Sequence, residues 1–153
     1  MEGRLIMTEE QVTKSILKWL VDSGWEILDY DFPGGGTGRK FHIGNGRSDK
    51  TKGIVIPDVI ALRNDVILIL ENKSVDTLSD YEKIKQLAES SDFRVQLEAA
   101  YPDISIVKVL WGVGYSGRQK YTSQAVNSNV NVVVNVSGNS VETASCNIVY
   151  GVL

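Results

Sequence analysis

The sequence predicts one α/β domain, a central mixed sheet flanked by helices with a β-hairpin at its C-terminal end. Three observations carry that expectation. Apolar residues at 12, 16, 19 and 20 repeat with helical spacing, and two β-branched runs, 54–63 and 66–71, are separated only by Asn64-Asp65. The composition changes from Asn127, and over 130–136 valines alternate with asparagines at the period of a strand. A chain of 153 residues, 42% hydrophobic and 23% charged, has material for one core. We therefore expect a single domain over 1–153, with its core at about 8–113 and a terminal hairpin at 127–153.

The elements follow in chain order. Thr8-Glu9-Glu10-Gln11 reads as a capping box that opens an amphipathic helix over 9–22, with Val12, Ile16, Trp19 and Leu20 on its inner face. Gly24 is its C-terminal stop. Trp25 to Asp31 alternates like a strand exposed on one face, and Pro33 ends it. Seven glycines between 33 and 53 predict a long loop or ribbon, of a length usually tied to function or disorder. The runs 54–63 and 66–71 form a hairpin about Asn64-Asp65, and since both of its faces are apolar, both should be covered. Ser79-Asp80-Tyr81-Glu82 is a second capping box, opening a helix to about Ser90 with Ile84, Leu87 and Ala88 inward. Ile104 to Val113 reads as a buried strand. The Ser137-Gly138-Asn139-Ser140 turn then joins the alternating 130–136 to Val141–Val152 as the terminal hairpin.

Charge and cysteine usage narrow the function classes. Sixteen Lys and Arg against nineteen Asp and Glu leave a net charge of −3, which excludes a generally basic nucleic-acid binder but not a local basic patch. The single cysteine, Cys146, forms no internal disulfide, and no apolar run approaches the roughly 18 residues of a membrane span. The apolar part of Met1 to Met7 is shorter than the ~7 to 15 residues of a secretory h-region. A cytoplasmic protein with no membrane partner is expected.

The informative feature is charge inside otherwise apolar strands: Asp58 in the first run, Glu71 and Lys73 at the end of the second. Buried charges need partners or a metal. Counting outward from a two-residue turn, Arg63 faces Val66 and Asp58 falls opposite Glu71, which would set their Cβ atoms about 4.5 to 5.5 Å apart. Period 2 places Lys73 on the face of Glu71. Facing carboxylates repel, and a divalent cation between them relieves the repulsion. Oxygen ligands favour Mg²⁺, with Mn²⁺ as a substitute, and Mg²⁺ keeps waters that can attack a phosphate. Lys73 would orient or deprotonate such a water, or stabilise charge developing on the phosphate. The other reading is a Glu71-Lys73 or Asp58-Lys73 ion pair at a sheet edge.

Ile56-Pro57-Asp58, a twelve-residue interval and Glu71-Asn72-Lys73, in the order helix, strand, strand, strand, helix, strand, resemble the PD-(D/E)XK nuclease superfamily over roughly 8–113. The resemblance implies a restriction-endonuclease-like fold in which the acidic pair Asp58 and Glu71 binds Mg²⁺ and Lys73 assists the water. It also implies that a glutamate of the first helix can join the site. By helical phase that residue is Glu9, which shares the angle of the Val12, Ile16, Leu20 stripe, whereas Glu10 points about 100° away. Glu9 equally suits an ordinary first-turn glutamate complementing the helix dipole.

Between 39 and 52, five basic residues, Arg39, Lys40, Arg47, Lys50 and Lys52, stand against Asp49 alone, a local charge of +4. This is the expected DNA-binding segment; the alternative is a solvated loop. Lys40 follows Arg39 and precedes Phe41, a spacing that excludes a Walker A loop. His42, with no cysteine near it, is not expected to ligate zinc. Tyr81 and Gln86 do not match the spacing of family branches that place such residues near the site, and Trp111 at the head of a glycine-rich stretch suits either core packing or DNA contact.

The expected function is a Mg²⁺-dependent DNA endonuclease that hydrolyses phosphodiester bonds by metal-activated water, in the leading role of a type II restriction enzyme or its catalytic subunit. Cutting both strands with two copies of one site implies a homodimer, and the small size allows a separate recognition subunit. A structure-selective nuclease, such as a junction resolvase or homing enzyme, is an alternative reading, as is a non-catalytic DNA-binding module.

Overall fold

Helix α1, Glu9–Asp22, begins where the capping box places it: the Gln11 N–H donates to Thr8 Oγ1 at 3.1 Å and the Thr8 N–H to Gln11 Oε1 at 2.9 Å. It ends in a Schellman motif. Gly24 sits at φ +91°, its N–H donates to the Val21 carbonyl, and the Trp25 N–H donates to the Leu20 carbonyl at 2.9 Å. Val12, Ile16 and Leu20 are fully buried, as their spacing requires. These positions come from a computed structural model, which describes residues 8–32, 35–36, 41–42, 54–73, 90–116, 132–137 and 140–145.

The strands are β1 (Glu26–Phe32), β2 (Gly35–Gly36), β3 (Phe41–His42), β4 (Ile54–Val55), β5 (Val59–Arg63), β6 (Val66–Lys73), β7 (Lys108–Ser116), β8 (Val132–Ser137) and β9 (Ser140–Ser145). Among the described residues a second helix, α2 (Ser91–Ala100), precedes β7. Among the described residues the chain is α/β, with a mixed sheet in the order β2-β1-β5-β6-β7-β8-β9 and a separate β3-β4 ladder. The ladders β6-β7 and β7-β8 are parallel; the other pairs of the sheet are antiparallel. No helix among the described residues is long and apolar enough to cross a membrane.

Helix α1 lies on one face of the sheet. Its stripe packs with Trp25, Val59, Ala61, Leu68, Leu70 and Leu110, and with Val132, Val134 and Val136 of β8. Gly112 and Gly114 of β7 let this layer close up. A Cβ on Gly112 would collide with Val132 of β8 and crowd Leu70 Cδ2 at 3.0 Å, and one on Gly114 would collide with Ile16 and Asn72. The opposite face buries Ile60, Ile67, Ile69 and Trp111, so the hairpin is covered on both sides as its composition predicts, and Trp111 belongs to the core.

Among the described residues the secondary-structure elements depart from the sequence reading in five places, and the partner of Asp58, described with the site below, is a sixth. The run 54–63 is broken at 56–58, where Pro57 has no N–H for a ladder, so β4 and β5 are separate strands. Strand β7 starts at Lys108 rather than Ile104. The terminal hairpin is no appendage: β8 pairs in parallel with β7 and buries Val132, Val134 and Val136 under α1. Helix α2 was not anticipated; Ser90, read as the end of a preceding helix, is its N-cap and accepts the Phe93 N–H, while Phe93 and Leu97 bury one face. The helix expected over about 79–90 lies outside the described residues.

The fifth departure is in β1. Its register with β5 shifts between Ile27 and Asp29, leaving Leu28 as the extra residue of a β-bulge. Unbroken alternation would set Asp29 on the face of Trp25 and Ile27, which pack on the α1 side. The bulge instead turns Asp29 onto the Ile60 side, where it is 6% exposed and accepts the hydroxyl of Tyr101, just beyond α2.

Candidate functional site

The β5-β6 hairpin positions the acidic residues. Asn64 adopts φ +57°, the left-handed conformation that a tight two-residue turn requires and that Asn accepts more readily than most residues. The register that follows, Arg63↔Val66 through Val59↔Leu70, is the one counted from the sequence.

At its open end the ladder departs from that count. The Asp58 N–H donates to the Leu70 carbonyl at 3.1 Å, one residue short of the expected partner, so Asp58 is not a cross-strand pair of Glu71. Its carboxylate turns to the β6 backbone instead, where Oδ2 accepts the Asn72 N–H at 2.6 Å. The Asp58 carbonyl accepts the Asp31 N–H at 2.9 Å. Asp58 is thereby held by β1 on one side and β6 on the other. The cause is local: Pro57 cannot continue the ladder, and a short acceptor side chain beside an N–H captures it.

Asp58 and Glu71 are both half-buried. Period 2 separates the residues at the end of β6. Asn72 follows Leu68 and Leu70 onto the α1 face, whereas Glu71 takes the alternation of Ile67 and Ile69 on the other face. Lys73 ends β6 with its backbone in register with Tyr115 of β7, and its side chain lies outside the described residues. Glu9 is the first residue of α1, on the Asn72 side of the sheet; its side chain is likewise outside the described residues. Arg39, Lys40, Arg47, Lys50 and Lys52 all lie outside them too, while His42 pairs with Ile54 in the β3-β4 ladder.

Sequence reasoning missed the polar residues beneath this end of the sheet. Asn72 is fully buried, and its Nδ2 donates to Oγ1 of Thr13, itself 1% exposed in α1, at 3.1 Å. A Thr directly after Val12 on the inward stripe, and an Asn flanked by Glu71 and Lys73, were the available signals. Their meeting depends on how α1 lies across β6, which no spacing rule supplies.

The donors offered at the hairpin end are carboxylate oxygens, the chemistry that suits Mg²⁺ or Mn²⁺, and one of the two carboxylates is oriented by a backbone N–H. Among the described residues, no group of three or more His, Cys, Asp or Glu side chains gathers as a ready metal cage. Mg²⁺ typically takes one or two carboxylates and completes its shell with water, so a two-carboxylate site fits this ion. Comparison with protein-family models, with curated proteins and with solved structures gives no match for this chain.

Proposed function

We propose that this chain is a Mg²⁺-dependent DNA endonuclease of the restriction-endonuclease-like, PD-(D/E)XK kind. One observation carries the reading. The carboxylate of Asp58 is fastened to the backbone between Glu71 and Lys73, at the end of an antiparallel hairpin whose second strand pairs in parallel with β7. The order of α1, β1, β5, β6, α2 and β7 supports it, since the same motif and order define the family that the sequence resembles.

Asp58 and Glu71 would hold the cation. When bound, Mg²⁺ supplies Lewis-acid stabilisation of phosphate charge and a water of lowered pKa. The chain's own part is orientation. The Asn72 N–H fixes Asp58, and the ladder up to Val59↔Leu70 fixes the strand that carries Glu71. By the alternation of a strand, Lys73 would bring an ammonium to the face of Glu71, to orient the attacking water and to meet negative charge on the phosphate. In the hydrolysis, a P–O bond to water forms as a P–O bond to the sugar breaks, leaving a phosphate and a hydroxyl. DNA is the proposed substrate, with the basic segment 39–52 as its phosphate contact and a homodimer as the working form.

The test is incubation of the purified protein with plasmid DNA and Mg²⁺, with an EDTA control, followed by sequencing of the ends. Cleavage that stops in EDTA supports the proposal, and discrete ends mark a restriction enzyme. Binding without cleavage overturns it in favour of a non-catalytic module.

A further inference from the structure

Asn72 makes two hydrogen bonds that lead to different parts of the molecule. Its N–H donates to Asp58 Oδ2 at 2.6 Å, and its side-chain Nδ2 donates to Thr13 Oγ1 in α1 at 3.1 Å. Both bonds belong to a residue flanked by Glu71 and Lys73. We propose that Thr13 and Asn72 are positioning residues: acting from the α1 face of the sheet, they fix the end of β6 and through it the cation-binding geometry of Asp58 and Glu71. The proposal rests on the nuclease reading given above.

Packing alone does not account for an amide at this position. Leu68 and Leu70, its neighbours on the same face, show that leucine fills this layer. The amide also carries a penalty, because Asn72 Oδ1 is buried with no hydrogen-bond partner. Gly114, directly beside Asn72 in the β6-β7 ladder, provides the room: a Cβ there would come within 2.5 Å of Asn72 Oδ1. A polar pair kept where an apolar one would pack contributes direction. The hydrogen bond to Thr13 stops the strand end from twisting about its axis, a motion that would carry Glu71, Lys73 and the N–H under Asp58 with it. Partners of this outer kind typically alter metal affinity by about 10 to 100-fold when removed.

The experiment titrates Mn²⁺ into DNA-free protein, reading free Mn²⁺ by electron paramagnetic resonance, for wild type, Thr13→Val and Thr13→Ser. Thr13→Val, which keeps the shape and loses the hydroxyl, is expected to bind Mn²⁺ about 10 to 100-fold more weakly. Thr13→Ser, which keeps the hydroxyl, restores wild-type affinity. In metal-free Thr13→Val the Asn72 amide should exchange with deuterium at least about tenfold faster while that of Leu68 is unchanged, marking a local opening. Wild-type Mn²⁺ affinity in Thr13→Val overturns the proposal while leaving the nuclease reading intact. A wild-type protein that neither binds Mn²⁺ nor cuts DNA overturns both. If Thr13→Val does not fold, Thr13→Val with Asn72→Leu removes both polar groups together, a replacement that can be nearly neutral for stability. Wild-type Mn²⁺ affinity in that double variant equally overturns the proposal.

Discussion

Gly114 of β7 stands beside Asn72 of β6 in parallel register, and the space that its missing Cβ leaves is taken by the Asn72 amide and Ile16 of α1. Both neighbours are fully buried, so neither can swing out into solvent. Gly114→Ala is therefore expected to lower stability by about 1 to 3 kcal/mol, the range for overpacking a filled core. Chemical denaturation measures it directly. A variant as stable as wild type would mean that α1 shifts away from the sheet without penalty.

For Asp58, the isosteric change to Asn keeps an oxygen that can accept the Asn72 N–H and removes the negative charge. Cleavage and Mn²⁺ binding should be lost, with stability of the metal-free protein lowered by no more than about 1 kcal/mol, because a charge-assisted hydrogen bond becomes a neutral one. Thermal melts with and without Mn²⁺ read both effects. Retained cleavage by Asp58→Asn would remove this residue from the site.

Replacing Lys73 by Met keeps the length and apolar stem of the side chain and deletes the ammonium. DNA and Mn²⁺ binding should persist while the chemical step slows by about 10² to 10⁴-fold, the contribution of one acid-base or electrostatic group. Single-turnover kinetics with saturating protein separate the two. Parallel losses in DNA affinity and in rate would assign Lys73 to binding alone.

The basic residues Arg39, Lys40, Arg47, Lys50 and Lys52 are expected to meet DNA phosphates. Each neutralisation should then reduce the slope of log K against log salt by about 0.9 on duplex DNA. An arginine that instead reads guanine would lose about 1 to 3 kcal/mol mainly on the cognate sequence. Titrations of alanine variants on cognate and scrambled duplexes at several salt concentrations distinguish these roles. Wild-type slopes and selectivity in all five would move recognition elsewhere in the chain.

What the sequence disclosed was local. The Thr8 capping box, the Gly24 stop and the Asn64-Asp65 turn each depend on residues within a few positions of one another, and all three stand where expected. Val12, Ile16 and Leu20 were legible because one periodicity governs them. What stayed hidden depends on contacts distant in sequence. The bulge at Leu28 is visible only against β5, and Asp58 leaves its expected partner because the Asn72 N–H competes for its carboxylate. Helix α2 was missed for a different reason: Ser90 can end one helix or begin another, and only the burial of Phe93 and Leu97 decides. Strand β6 runs over Val66–Lys73 and so includes both Glu71 and Lys73; the Lys73 side chain lies outside the described residues.

The two parallel ladders at the middle of the sheet also constrain the order in which the chain can fold. Hairpins β5-β6 and β8-β9 close over short turns, whereas β7 must find both β6 and β8 across long stretches of chain. Closing the longer loops forfeits more chain entropy before any pairing compensates it, so the hairpins should be early, local structures and β7 the late keystone that joins them. In pulse-labelled exchange during refolding, amides of β5 paired to β6 would then gain protection before those of β7. The motif at the end of β6 would accordingly exist in outline, with Asp58 beside its hairpin, before the core beneath it is sealed.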